Sequence, residues 1–191
     1  MKSSFFALMS RMKYINRWGL MRNSRSENIA EHSLDTAVIA HLLCVLRNKR
    51  FSGSINAEHA AAVAMFHDTP EIITGDLPTP VKYFSEKISD AYKDVESAAV
   101  DKLISAVPSD ISDEYEKLLR CSDDEILRIV KAADKISALI KCIEERKSGN
   151  NDFVEAERQT LDSLKRMSLP EVDCFIDEFL PAYELTLDEQ A

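Results

Sequence analysis

Little in this sequence breaks a helix. Glycine and proline number only 4 and 6 in 191 residues, too few for the many tight turns of an all-β domain. No unbroken run of about 18 apolar residues occurs, so no membrane span is expected. The apolar patch Phe5-Phe6-Ala7-Leu8-Met9 is cut short by Arg11 and Lys13, with no small-residue cleavage site after it, which argues against a signal peptide. The four cysteines, Cys44, Cys121, Cys142 and Cys174, form no Cys-x-x-Cys pair. They read as reduced, mostly buried thiols of a cytoplasmic protein. Positive charge is also short. A net charge of −9 disfavours a nucleic-acid polymer as partner, although one or two local cations can still hold a single phosphate.

What is present is helical periodicity in a chain long enough for one domain with a sizeable core. Apolar residues recur at three- and four-residue spacing almost throughout. A first helix is expected over about Ser4 to Ile15, with Phe5, Leu8, Met9 and Met12 on one face. Asn28 with Glu31 resembles a capping box and opens a helix to about Asn48. Asn56 can cap the next helix, which ends near His67-Asp68. Thr69 to Pro80 is too broken for one helix and reads as a helical turn followed by an ordered loop. Ser85 to Val107 forms a long charged helix with a solvated face, and Ser109 to Arg120 a shorter one. Ser122-Asp123-Asp124-Glu125 reads as a capping box for a helix to Ser148-Gly149, and two helices, about Asn151 to Met167 and Pro170 to Ala182, follow. No repeat or domain boundary is visible.

Two residue placements carry chemistry. His67-Asp68 follows Ala60, Val63 and Ala64 on one helix face, where a histidine is more often a satisfied core residue than a ligand. Asp134 is the sharper anomaly, because Ile129, Val130, Ala133, Ser137 and Ile140 put it on the apolar face of its helix. Burying an ionised carboxylate alone costs several kcal/mol, so it needs a cation. Lys135 lies about 100° around the helix and is poorly placed. A metal is the economical partner, and a salt bridge from another helix is the alternative. His32, in the first turn of the helix carrying Leu34, Ala37, Val38 and Leu42, completes a set of two imidazoles and two carboxylates. Such a mixed set suits a divalent transition metal better than Mg or Ca, with positions left open for a water that can attack phosphorus. His41 lies about 180° from His32, and His59 is about 12 Å along its helix from His67. Neither can join, so one metal is expected.

The order His32, His67-Asp68, Asp134 resembles the H…HD…D signature of the HD-domain superfamily. Arg17-Trp18, Asn28-Ile29-Ala30-Glu31-His32-Ser33, His67-Asp68-Thr69-Pro70-Glu71 and Thr74-Gly75-Asp76-Leu77-Pro78-Thr79-Pro80-Val81-Lys82 resemble the bacterial 5′-deoxynucleotidase family, from about Phe5 to Leu187. The ligand order is specific only to the superfamily, whereas the Gly75–Lys82 block with Ile15-Asn16-Arg17-Trp18 is much narrower. The resemblance implies an all-α, single-domain HD-type helical bundle with one metal site in its core. The HD core would cover about residues 28 to 150, with the N-terminal and C-terminal helices packed on it. It also implies a homodimer and hydrolysis of deoxyribonucleoside 5′-monophosphates.

The resemblance further implies roles for single residues. His32, His67, Asp68 and Asp134 would hold one divalent ion, cobalt or manganese first, with His32, Asp68 and Asp134 also facing substrate. Arg17 would orient the phosphate with its fork of donors, and Trp18 would pack by the nucleoside. Glu71 would shuttle a proton or orient the attacking water. Asp76, with Leu77, Pro78 and Thr79, would line the sugar side and share in catalysis. The plainer alternatives are that Arg17 is a surface cation, Trp18 core, and Thr74 to Pro80 a rigid turn. Gly19 stands where the family often carries proline, which loosens that turn. Lys82 is left outside the site as a partner for local acid. The runner-up activity is a dNTP triphosphohydrolase, for which Arg22 and Arg25 could supply outer-phosphate contacts. A catalytically silent nucleotide-binding module would predict an eroded ligand set, yet all four residues are there.

Overall fold

The three longest helices each start where a side chain accepts unpaired amides of the first turn. The computed structural model describes residues 2–190, and among them every named element is helical. A short helix, α1 (Phe5–Met9), tightens into a 3-10 segment over Ser10–Tyr14. One α-helix was expected there. The chain instead tightens and then turns extended at Ile15 (φ −98°, ψ 106°), so that Asn16 pairs with Asn28 in an antiparallel bridge. Tertiary pairing overrides local periodicity.

Helix α2 (Ile29–Arg50) opens with the expected capping box. Asn28 Oδ1 accepts from the Ala30 and Glu31 amides at 3.0 and 3.1 Å, and Glu31 accepts in return from the Asn28 amide at 3.4 Å. Helix α3 (Ala57–Phe66) is capped by Asn56, which accepts from the His59 amide at 2.9 Å. Two four-residue helices, α4 (Glu71–Thr74) and α5 (Thr79–Lys82), flank the loop 75–78, whose Gly75 takes φ +73°. Helix α6 (Glu86–Ser105) ends before Pro108, and α7 (Ser112–Leu119) follows. The cap of α8 (Asp124–Lys147) is Asp123, accepting from Glu125 and Ile126, and not the expected Ser122. Any of three adjacent residues can cap there. Asp123 takes the role by accepting from the amide of Ile126, the first buried side chain of that helix. The chain closes with α9 (Val154–Arg166) and α10 (Pro170–Glu178), each joined to a short 3-10 turn.

Helix α2 is the centre of the bundle, packed against α3, α8 and α10, with α9 laid along α8. It is long and apolar enough to cross a membrane, with a mean hydropathy of 1.4 over its most apolar stretch. Its buried faces are nevertheless spent on neighbouring helices. Where α2 meets α3 the side chains are small, Ala37 and Ala40 against Ala60 and Ala64, all buried. Small contacts let helix axes approach closely, which brings the start of α2 toward the end of α3. A second cluster, Phe5 with Leu103 and Val107, docks α1 onto α6 and α7.

Candidate metal centre

The first turn of α2, the end of α3 and the middle of α8 meet at one point. His32 is fully buried there, with Asp134 Oδ1 at 3.1 Å and Asp68 Oδ2 at 3.5 Å from its Nε2. His67 Nε2 lies 3.1 Å from Asp68 Oδ1, and the two imidazole centroids are 5.2 Å apart. The ligand atoms of His32, His67 and Asp68 all fall within 4.8 Å of one another. Donors at about 2.0–2.2 Å from a shared ion stand about 3 to 4 Å apart, so these spacings suit one ion. Asp134 lies outside that three-residue group and touches it through His32.

Hydrogen bonding decides which ring nitrogens face the cluster. His67 Nδ1 is 2.6 Å from the Ala64 carbonyl oxygen, which can only accept. Nδ1 therefore carries the proton and Nε2 is a lone pair, buried without a hydrogen-bond partner. His32 Nδ1 lies 3.0 Å from Ser137 Oγ, and donation to that oxygen likewise leaves Nε2 as a lone pair. In the neutral rings two lone pairs point at carboxylate oxygens, and either a proton on Nε2 or a metal ion relieves the contact. Imidazoles fixed through the far nitrogen are what metal sites use. The residues fit a divalent ion.

Charge around the cluster is uneven. Burial pushes the Asp134 carboxyl up, but the hydrogen bond and charge of His32, with His67 and Arg17, hold it well below the usual carboxylate range. Arg17 Nη2 is 3.7 Å from Asp134 Oδ1, so part of the cation that Asp134 needs comes from this loop arginine. Glu71 goes the other way. Burial, with the charges of Asp68 and Asp76, pushes its carboxyl up to about 9, and its Oε2 is buried without a partner. Asp76 is also raised, by burial first, against the pull of Arg17.

Arg17, Glu71 and Asp76 are thus within electrostatic reach of the cluster. Leu77, Pro78 and Thr79 make no hydrogen bond or ion pair with it. Trp18 packs its ring 5.3 Å from that of Phe153. Lys82 pairs with Glu96 at 2.8 Å and stays outside, as expected. His41 is exposed, and neither it nor His59 joins the cluster. Sequence reasoning missed two residues. Ser137 was visible only as a flank of Asp134, three residues on. Glu27, which binds both Arg17 and Trp18, has no local signal, because its partners lie nine and ten residues away.

Comparison with known proteins gives this geometry its place. A solved HD-domain phosphohydrolase from Listeria innocua superimposes with a TM-score of 0.81 at 25% identity, covering 98% of this chain and 91% of that one. The cyanophage S-2L HD phosphohydrolase DatZ, bound to dA and one catalytic Zn2+ ion, shares the fold at a TM-score of 0.66 and 19% identity, over 94% of this chain and 96% of its own. Fold and cluster define an HD-domain hydrolase. A model of the YfbR-like 5′-deoxynucleotidases matches residues 4–183. A 5′-deoxynucleotidase of Enterobacter sp. (strain 638) is 46% identical over 98% of this chain and 96% of its own. The YfbR enzyme of Escherichia coli O1:K1 is 45% identical over the same shares. The chain belongs to the YfbR-like 5′-deoxynucleotidase family.

Proposed function

We propose that this enzyme hydrolyses deoxyribonucleoside 5′-monophosphates to deoxynucleoside and phosphate, at one divalent ion held by His32, His67, Asp68 and Asp134. The observation that carries the reading is two imidazole Nε2 atoms facing two carboxylates, 3.1 to 3.5 Å apart, beside one guanidinium. When bound, the ion supplies Lewis-acid stabilisation of the phosphoryl group and makes water a better nucleophile. Cobalt and manganese are our first candidates, because the ligands mix nitrogen and oxygen. One ion accords with the single Zn2+ described for the cyanophage enzyme.

Water adds to phosphorus as the bond from phosphorus to the 5′ oxygen breaks, and that oxygen leaves with a proton. Among the described residues the Arg17 guanidinium donates one hydrogen bond, from Nη1 to Glu27, so further donors of its fork can orient the phosphate. Glu71, whose carboxyl is pushed up by burial, is assigned to shuttling a proton or orienting the attacking water. Trp18 is assigned to the nucleoside, and Asp76, Leu77, Pro78 and Thr79 to the sugar side. A wall close to the 2′ carbon leaves a ribose hydroxyl clashing or unpaired. Of the two arginines that could serve outer phosphates, Arg25 pairs with Glu31 at 3.2 Å on the surface and Arg22 is exposed.

The test is phosphate release from dAMP, AMP and 3′-dAMP with added cobalt or manganese. Release from dAMP is expected at least about tenfold faster than from the other two. Equal rates from all three would remove the specificity claim, and tripolyphosphate from dATP would favour the triphosphohydrolase. We place residues 28–150 as the HD core and the enzyme in the cytoplasm as a homodimer. Family membership supports the dimer, as does an apolar groove lined by Val38, Leu42, Phe179, Tyr183 and Leu185.

A further inference from the structure

One carboxylate oxygen holds both residues assigned above to the substrate. Glu27 Oε2 accepts from Arg17 Nη1 at 2.8 Å and from Trp18 Nε1 at 3.0 Å. The Glu27 backbone carbonyl also accepts from the Arg17 amide at 2.9 Å. Its side chain is only 12% exposed, so these charge-assisted bonds are shielded from water. We propose that Glu27 is a positioning residue for the nucleotidase reaction, fixing Arg17 and Trp18 as one unit so that phosphate and nucleoside are gripped in register.

The physical case rests on what Arg17 would do without it. Asp134 Oδ1 stands 3.7 Å from Arg17 Nη2, longer than a good ion pair. A guanidinium without a second anchor would swing onto Asp134, blocking the phosphate side and drawing a carboxylate away from the metal. Glu27 pulls on Nη1, from the other end of the fork, and keeps that gap. Trp18 adds an independent sign of constraint, since its φ of +61° is in the left-handed region. A bulky side chain pays roughly 1–2 kcal/mol there, and such backbone persists only where the surroundings over-determine it. The Glu27 bond and the Phe153 ring supply that determination.

The proposal rests on the assignment of Arg17 to phosphate, so the experiment is a double-mutant cycle with dAMP, comparing wild type, Glu27→Ala, Arg17→Ala and both. Glu27→Ala is expected to lower kcat/KM about 10- to 100-fold, the range for a misplaced positioning group, and to leave metal content at wild-type level. In the Arg17→Ala background the loss should be at least about threefold smaller than in wild type, because only the hold on Trp18 is left to remove. Trp18 is the only tryptophan, so its emission reads the indole bond directly. Emission should shift and acrylamide quenching rise in Glu27→Ala, with partial return in Glu27→Gln, which keeps an acceptor but not the charge. Equal losses in both backgrounds overturn the proposal, as does a Glu27→Ala enzyme within twofold of wild type. If Arg17→Ala itself keeps wild-type kcat/KM, the phosphate assignment fails and this proposal with it. Should Glu27→Ala not fold, the same cycle run with Glu27→Gln decides.

Discussion

The two halves of the site are held by different physics. His32, Ser137 and Asp134 stand on α2 and α8, long helices locked by buried side chains on both flanks. Arg17 and Trp18 stand on a loop that packs through Trp18 on Phe153 and is otherwise held by polar contacts. That loop is pinned by the Asn16–Asn28 bridge, by Glu27, and by Glu145 of α8, which accepts from the Ser24 and Arg25 amides at 2.8 and 3.3 Å. Packing is insensitive to pH, whereas a pin made of ionised groups is not. The half assigned to the metal is therefore the rigid partner, and the half assigned to the phosphate can be loosened without unfolding the bundle.

The sharpest way to break the helix-built half is His67→Ala. His67 closes α3 with Nδ1 on the Ala64 carbonyl, so its loss removes a ligand while the buried faces of α2 and α8 stay intact. Metal assistance is worth several kcal/mol of barrier, or about 10³-fold in rate. A drop of that size in dAMP hydrolysis is expected, together with loss of bound metal and unchanged helical circular dichroism. Wild-type metal content in the purified variant would contradict the ligand assignment.

The loop half breaks through Glu145. This carboxylate is buried with Lys141 and accepts from Asn150 Nδ2 at 2.7 Å, while Lys141 also donates to the Arg25 carbonyl at 2.6 Å. Burial pushes the Glu145 carboxyl up, but Lys141, Asn150 and Ser24 hold it well below the ordinary range. A lowered folded-state value means that its stabilisation is complete above the unfolded value, about 4.3. It is lost as pH falls from there through the folded value. Glu145→Gln leaves Lys141 buried without its counter-charge and should cost about 3 kcal/mol at neutral pH. The variant should also show a flatter loss of stability between roughly pH 5 and 3. Urea titrations across that range read both, and a variant as acid-sensitive as wild type would show that Glu145 is not the pin.

This division explains what the amino-acid sequence disclosed. Asp134 was legible because a carboxylate among Val130, Ala133 and Ser137 breaks a periodic pattern, and such breaks show in a helix. His32 was legible by position, one turn into a capped helix. The bundle followed from periodicity and capping, with errors at edges such as Ser122 against Asp123, where neighbouring residues compete for one role, and in the first helix, which tightens at Ser10. Glu27 and Glu145 were not legible. Both sit in a polar stretch or on a charged helix where a glutamate is ordinary, and their importance comes from partners brought together by folding. Lys141 is one turn from Glu145, yet nothing in that spacing says that the pair is buried.

The mildest test concerns Gly19, immediately after Trp18. A β-carbon built there meets nothing within 4 Å, and unlike Gly75 and Gly149 this glycine does not take a positive φ. Its backbone is one that alanine adopts freely, so the glycine adds freedom to the unfolded chain and to the turn without serving the fold. Gly19→Ala should therefore stabilise by about 0.4–1 kcal/mol, a rise of roughly 1–4 °C in Tm for a chain of this size. Gly75→Ala, at φ +73°, should instead lose roughly 1–2 kcal/mol. If the loop half is limited by its own looseness, Gly19→Ala should also lower KM for dAMP while leaving kcat and metal affinity alone. A lower Tm would mean that the turn needs its glycine, and that the loop is held by backbone conformation as well as by the carboxylates of Glu27 and Glu145.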